Sequence, residues 1–258
     1  MLAVVWVVRF LFFASCCFGV LQTAQKTSDS DPTNYIFTND IETALMPSIG
    51  NGYVSSFVYS EEIFVAGLFN GFLNVAPSHR ASIPSPINYQ LSLSDATEGN
   101  SLQSSGYLFD IPHGMFSAFY TVTSQNGDVL SEIEQRWYAH REHRALIVHE
   151  ILLNNSMNAD SLHISVSNGL TSFTSSDITF TEQPKEGTGA ACFNGSINQP
   201  ETLDGLQVTV SVCTEDAFAD KHKSIAVPSH SETSERFVTV LQTNIPGDSN
   251  SPVTTAPR

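Results

Sequence analysis

From residue 52 onward the chain is dominated by short, strand-like apolar runs, each cut off by turn-forming residues. The runs are Gly52 to Tyr59, Glu62 to Leu68, Tyr89 to Leu93, Met115 to Thr123, Val129 to Tyr138, Arg144 to Leu153, Leu162 to Val166, Leu206 to Cys213 and Glu235 to Gln242. All are rich in β-branched and aromatic residues, and a period of two sends alternate side chains to opposite faces of a pleated strand. Between them lie Ser-Asp, Asn-Gly, Gly-Asp and proline-containing breaks, with no intervening helical periodicity. Strands recurring every ~8–15 residues predict an antiparallel sandwich or barrel. Asn126-Gly127 is the strongest hairpin signal, because both residues tolerate positive φ. No internal repeat is present. Residues 246–258 carry Pro, Ser and Thr without an apolar pattern and read as a flexible tail or the start of a linker, so the folded domain is expected over 25–245.

The N-terminus breaks this pattern. Met1 to Leu21 is almost entirely apolar, interrupted by Arg9, and the run from Phe10 to Leu21 has the length of a signal-peptide core. Gly19 and Ala24 offer small residues for cleavage, so residues 1–24 read as a signal peptide; an uncleaved N-terminal anchor is the alternative. The expectation is the secretory pathway, extracellular or lysosomal, with no membrane span after cleavage. Cys16 and Cys17 leave with the leader, and Cys192 and Cys213 remain as an even pair in an oxidising compartment. A disulfide between them would stabilise by about 3 kcal/mol. Sequons at Asn154 and Asn194 are compatible with glycosylated loops.

Composition narrows the function classes. With 11 Lys+Arg against 26 Asp+Glu the net charge is −15, which argues against a nucleic-acid partner. Only 14% of residues are charged and 41% are hydrophobic, so the chain is globular rather than disordered. Seventeen Phe and seven Tyr supply a large core.

Local motifs identify no reaction centre. Gly50-Asn51-Gly52 begins like a dinucleotide fingerprint, but Ser55 replaces the third glycine and a strand follows. His149-Glu150 begins like a zinc-protease motif, yet Leu153 stands where the second histidine belongs. His140-Arg141-Glu142-His143 lies between two apolar strands and reads as a solvated hairpin tip; no further metal ligand lies nearby. Glu132 with Glu134, or Glu61 with Glu62, are formal acid–base candidates, although carboxylates at i and i+2 usually mark the wet face of a strand. No cofactor and no metal site is expected.

A longer stretch is more specific. It comprises Met46-Pro47-Ser48-Ile49-Gly50-Asn51-Gly52-Tyr53-Val54, Val58-Tyr59, Ile63 through Phe69-Asn70-Gly71, and Ser78-His79-Arg80-Ala81-Ser82-Ile83-Pro84-Ser85-Pro86-Ile87-Asn88. This stretch resembles the N-terminal region of glycoside hydrolase family 65, in particular its acid-trehalase-like branch, and Tyr138-Ala139-His140-Arg141 resembles that family's strand-end motif. The resemblance implies an all-β fold, a large antiparallel β-sandwich, followed in the full family architecture by linker helices and an (α/α)6 barrel carrying the catalytic carboxylates. It implies, through a parent enzyme, a carbohydrate or collagen-type glycosylated protein as partner, with glucosyl-galactosyl-hydroxylysine as substrate; an acid trehalase, or a stand-alone carbohydrate-binding module, is the alternative. No catalytic residue of the family maps onto this sequence, which runs to Arg258, about where the linker helices begin; the expectation is a non-catalytic fragment. Gly50, Asn51, Gly52, Tyr53, Asn70, Gly71, His79 and Arg80 are expected to serve as scaffold, with His79 and Arg80 on a barrel-facing loop stiffened by Pro84 and Pro86.

Overall fold

The computed structural model describes residues 34–41, 47–71, 77–94, 99–170, 172–184, 190–201, 207–215 and 222–245; the expected leader, the tail, Met46 and Leu206 lie outside them. In chain order the strands are β1 (Tyr35–Thr38), β2 (Ser48–Gly50), β3 (Val54–Phe57), β4 (Glu62–Val65), β5 (Phe69–Asn70), β6 (His79–Arg80), β7 (Ile83–Pro84), β8 (Tyr89–Leu93) and β9 (Ser101–Asp110). They continue as β10 (Met115–Thr123), β11 (Val129–Ala139), β12 (Leu146–Asn154), β13 (Leu162–Asn168), β14 (Ile178–Glu182), β15 (Ala190–Ile197), β16 (Thr209–Glu215), β17 (His222–Val227) and β18 (Glu232–Thr243). Every pairing between them is antiparallel, and no helix among the described residues is long and apolar enough to cross a membrane.

One nine-stranded sheet, in the order β1-β9-β10-β11-β12-β18-β16-β15-β14, forms the large layer. A three-stranded sheet (β17-β13-β8) and a four-stranded sheet (β2-β3-β4-β7) cover its inner face, and β5 pairs with β6 alone. The register shows how alternation builds this face: Phe116, Trp137, His149 and Phe237 stand in one row across β10, β11, β12 and β18. Trp137 packs with Ile49, Val54, Ile63 and Ile83 in one core cluster. Ile133, Ile151 and Leu153 meet Ile164, Val166, Ile225 and Val227 in a second, and Tyr120 packs against both. Full burial of such side chains stabilises by about 1.5–3 kcal/mol each. The buried indole N–H of Trp137 donates to the Ile87 carbonyl at 3.1 Å, so no polar cost offsets its burial.

Two local expectations need correction. Pro84 and the His79-Arg80 pair are not in a loop: Pro84 closes the edge strand β7, where a missing N–H is tolerated, and His79-Arg80 form β6 opposite Asn70 and Phe69. The hairpin expected at Asn126-Gly127 joins β10 to β11, with positive φ at Gly127 (85°) and the Ser124 N–H bonded to the Asp128 carbonyl. Asn194 sits within β15, and Asn154 is the last residue of β12, so neither sequon asparagine is on a loop. Cys192 and Cys213 stand directly opposite each other on β15 and β16, 4.1 Å apart at Cα, and are bonded as expected.

Candidate functional site

The resemblance motif folds into two polar knots. In the first, Asn51 follows β2, and the positive φ of Gly52 (88°) turns the chain back into β3. The Asn51 side-chain oxygen accepts the N–H groups of Tyr53 (2.9 Å) and Val54 (3.0 Å), and its nitrogen donates to the carbonyls of His140 (2.8 Å) and Arg144 (2.9 Å). One amide thus uses two acceptor and two donor positions to tie the β2–β3 turn to the tip of the β11–β12 hairpin. The Arg144 guanidinium lies 5.7 Å from the Tyr53 ring centroid, over its face.

In the second knot Asp177, just before β14, is the centre. Its Oδ1 receives Asn70 Nδ2 at 3.1 Å, His79 Nε2 at 3.0 Å and the Ser176 hydroxyl at 3.3 Å, and its Oδ2 receives the Ser82 N–H at 3.0 Å. The Asn70 oxygen accepts the Gln199 N–H (2.9 Å), and Gly71 donates to the Gln199 carbonyl (2.8 Å). Gly71 is required twice over, by its φ of +136° and because a Cβ there would meet the Ser78 Cα at 2.7 Å. Burial pushes the Asp177 carboxyl up, but the Ser82 N–H, His79 and Ser176 outweigh it and hold the group below its ordinary value. His79 is raised, first by its hydrogen bond to Asp177 and then by the Pro77 carbonyl at Nδ1. Both ring nitrogens face acceptors, an arrangement that favours the charged ring more than water does. Arg80 is exposed beside it.

His140, Glu134 and His149 are held by other parts of the fold. His140 Nδ1 accepts the N–H groups of Glu142 (3.2 Å) and His143 (3.0 Å), which makes it a turn cap, and the segment is a hairpin tip as expected. No group of three or more metal-ligating side chains occurs among the described residues. Glu134 lies on the outward side of β11 but is only 5% exposed, because Arg136 grips it bidentately with two 2.7 Å bonds. The outward row Arg136, Glu150, Arg236 carries the charge ladder across β11, β12 and β18. His149 is fully buried on the inner face, stacked on Tyr89 at 4.7 Å, and accepts Gln135 Nε2 at 3.2 Å. Burial pushes its imidazole down to about 3. Asp177 is the principal residue that sequence reasoning missed; its only local signal is the Ser175-Ser176-Asp177 run before a strand.

Fold and knots together define a class: a large antiparallel β-sandwich whose signature residues bind its own segments to one another. The particular likeness comes from sequence. The chain is 30% identical over 230 residues to a protein-glucosylgalactosylhydroxylysine glucosidase of Dictyostelium discoideum, across 85% of this chain and 29% of that protein. The enzyme of that name from Mus musculus is 31% identical over 124 residues, 44% of this chain and 15% of the relative. The chain therefore spans less than a third of the length of these relatives. Among solved structures, one described as a kojibiose phosphorylase from the human microbiome superposes with a TM-score of 0.53 at 11% identity, over 81% of this chain and 32% of that one, which is a likeness of fold. No protein-family profile matches the chain. The resemblance to glycoside hydrolase family 65 thus holds in sequence and in fold.

Proposed function

We propose that the chain is the non-catalytic N-terminal β-sandwich of a secreted glucosidase that removes glucose from collagen-type glucosyl-galactosyl-hydroxylysine. The observation that carries this reading is the match to the Dictyostelium enzyme across 85% of the chain. Two features support the non-catalytic part. Asn51, Asn70 and His79 spend their hydrogen bonds on other parts of the same domain. Inverting hydrolysis needs an acid and a base about 6.5–9.5 Å apart across a sugar and a water, whereas Glu134 and Glu150 face outward from one sheet in pairs with arginines. The apolar N-terminal run and the Cys192–Cys213 bond support passage through the secretory pathway to an extracellular or lysosomal destination. Glycans at Asn154 and Asn194 belong to the same reading.

The test is direct. The purified chain releases no glucose from glucosyl-galactosyl-hydroxylysine peptides, trehalose or maltose. Release that scales with protein and disappears on unfolding would overturn the scaffold reading. Secretion is read from the medium of expressing cells, where retention of the whole product in the cytosol would refute it.

A further inference from the structure

Aromatic side chains gather on a part of the inner face that neither knot uses. The register aligns Ile36 of β1 with Phe109 of β9 and Phe116 of β10, and in the next row Tyr107 with Ala118. Phe116 and Ala118 are buried, whereas Phe109, Tyr107 and Tyr120 are half-buried and Ile36 is 56% exposed. The cover given by the smaller sheets thins out over this end of the large sheet. Tyr59, in the turn between β3 and β4, leans over the same region, edge-on to Trp137 at 5.3 Å and to Phe116 at 6.3 Å, with 38% of its surface exposed.

Tyr59 occupies a position suited to glycine. Its φ is 65°, in the left-handed region, where a bulky side chain costs on the order of 1 kcal/mol or more. Its phenol reaches Tyr120 Oη at 3.4 Å, longer than the usual O–H···O range of about 2.5–3.0 Å, so the pair is loose and each hydroxyl keeps capacity for a further partner. Tyr107 acts electrostatically on both of these phenols, and no charged side chain among the described residues does. Burial first, and then Tyr120, raise the Tyr59 phenol, which stays protonated and able to donate and to accept.

We propose that Tyr59, Tyr107 and Tyr120, with Ile36 and Phe109 as the apolar floor, form a non-catalytic subsite for a neutral saccharide. A pyranose has an apolar C–H face for aromatic rings and hydroxyls that both donate and accept, which matches protonated phenols beside exposed aromatic surface. An anionic ligand is opposed by the net charge of −15. A purely apolar peptide would desolvate the phenols without pairing them. The subsite rests on these side chains and not on the glucosidase reading.

The experiment is saturation-transfer difference NMR, with isothermal titration, of the full chain against methyl α-glucopyranoside, maltose and 2-O-α-glucosyl-galactose. At least one sugar binds with a millimolar Kd through its C–H face. The double variant Tyr107→Phe/Tyr120→Phe keeps both rings, keeps the near-ultraviolet circular dichroism spectrum, and weakens binding about tenfold or more. Tyr59→Gly relieves the turn and also loses binding, whereas Tyr138→Phe on the outer face changes nothing. Absence of saturation transfer to all three sugars, unchanged affinity in the double variant, or uptake of an apolar dye in place of sugar would each overturn the proposal. Because binding is read rather than glucose release, failure here leaves the glucosidase reading standing, and failure of that reading leaves this one.

Discussion

Replacing His149 with phenylalanine should change how the fold responds to acid. The imidazole lies between Tyr89 and Trp137, ring centroids 4.7 and 4.8 Å away, with Phe237 at 5.7 Å. Gln135 donates to its Nε2, and its Nδ1 has no partner among the described residues. Protonation would place a charge in this stack, and burial therefore holds the group from 6.5 down to about 3. The sign follows from linkage. In the unfolded chain the group takes up a proton below its ordinary value, whereas in the fold it does not, so stability is complete above the ordinary value and falls as pH drops towards the folded one. Each pH unit in that window removes about 1.4 kcal/mol, so the full effect is on the order of 5 kcal/mol. His149→Phe keeps the stack, leaves Gln135 its bond to the Tyr89 carbonyl (3.2 Å), and removes the titration. At neutral pH the swap costs less than about 1.5 kcal/mol. At about pH 4.5 the wild type has lost about 3 kcal/mol relative to the variant, or about 5–10 °C in Tm for a domain of this size. Thermal melts of both proteins from neutral to acid pH read this difference, and the other titrating groups cancel in it. Parallel curves would mean that His149 protonates as easily in the fold as in the unfolded chain, and the buried stack would be refuted.

Other perturbations have comparably definite outcomes. Asp177→Ala strands Asn70 and the Ser82 N–H, and lowers stability by about 1–3 kcal/mol per unsatisfied buried group, read as a shifted urea midpoint; an unchanged midpoint would remove Asp177 from the centre of its knot. The His79 contribution, from a raised pKa, is present in acid and lost as pH rises through the folded value, while that of Asp177, from a lowered pKa, is lost as pH falls through its own, so the pair holds best in mild acid. The double variant Cys192→Ser/Cys213→Ser, whose residues are 21 apart in sequence, loses about 3 kcal/mol, and non-reducing peptide mapping of the wild type finds the two cysteines joined.

Where both faces of a strand declare themselves, the sequence was readable. β10, β11, β12 and β18 are long runs of apolar and β-branched residues because one side packs in the core, while the other meets charge or partial exposure. β1, β9, β14, β15 and β17 escaped the same test. β9 opens Ser-Leu-Gln-Ser-Ser-Gly and faces solvent there, β1 is an exposed edge, and β15 places Ala191 and Gly195 on its inner side, where larger apolar residues would have given a pattern. Strand spacing alone also left sandwich and barrel open, and the family motif decided between them. At the site, glycine and amide positions of the motif were visible, but Asp177 was not. Its partners Asn70 and His79 lie 107 and 98 residues away, and local periodicity carries no information about a contact of that span. His149 was legible only as half of a failed zinc motif; its burial depends on three aromatic neighbours from other strands.

Hydrophobic burial is non-directional, so two small sheets lying on one large sheet are held against it without being told where to lie. The polar knots supply that instruction, which explains why the most recognisable residues of this sandwich are asparagines and glycines. Asn51 allows the point to be tested. Asn51→Ala removes two donors from the carbonyls of His140 and Arg144 and leaves the Tyr53 and Val54 N–H groups without their acceptor. At a net value of about 0.5–1.5 kcal/mol per bond, the loss is on the order of 2–6 kcal/mol. The informative readout is its distribution, because Asn51 joins segments 89 residues apart. Native-state hydrogen exchange of the variant should accelerate at Tyr53 and Val54 and equally at the hairpin tip, residues 140–144, while amides in the middle of β12 change only by the global loss. Acceleration confined to the turn would show that the His140 cap holds the tip unaided, and Asn51 would then be a local turn residue rather than a tie between sheets.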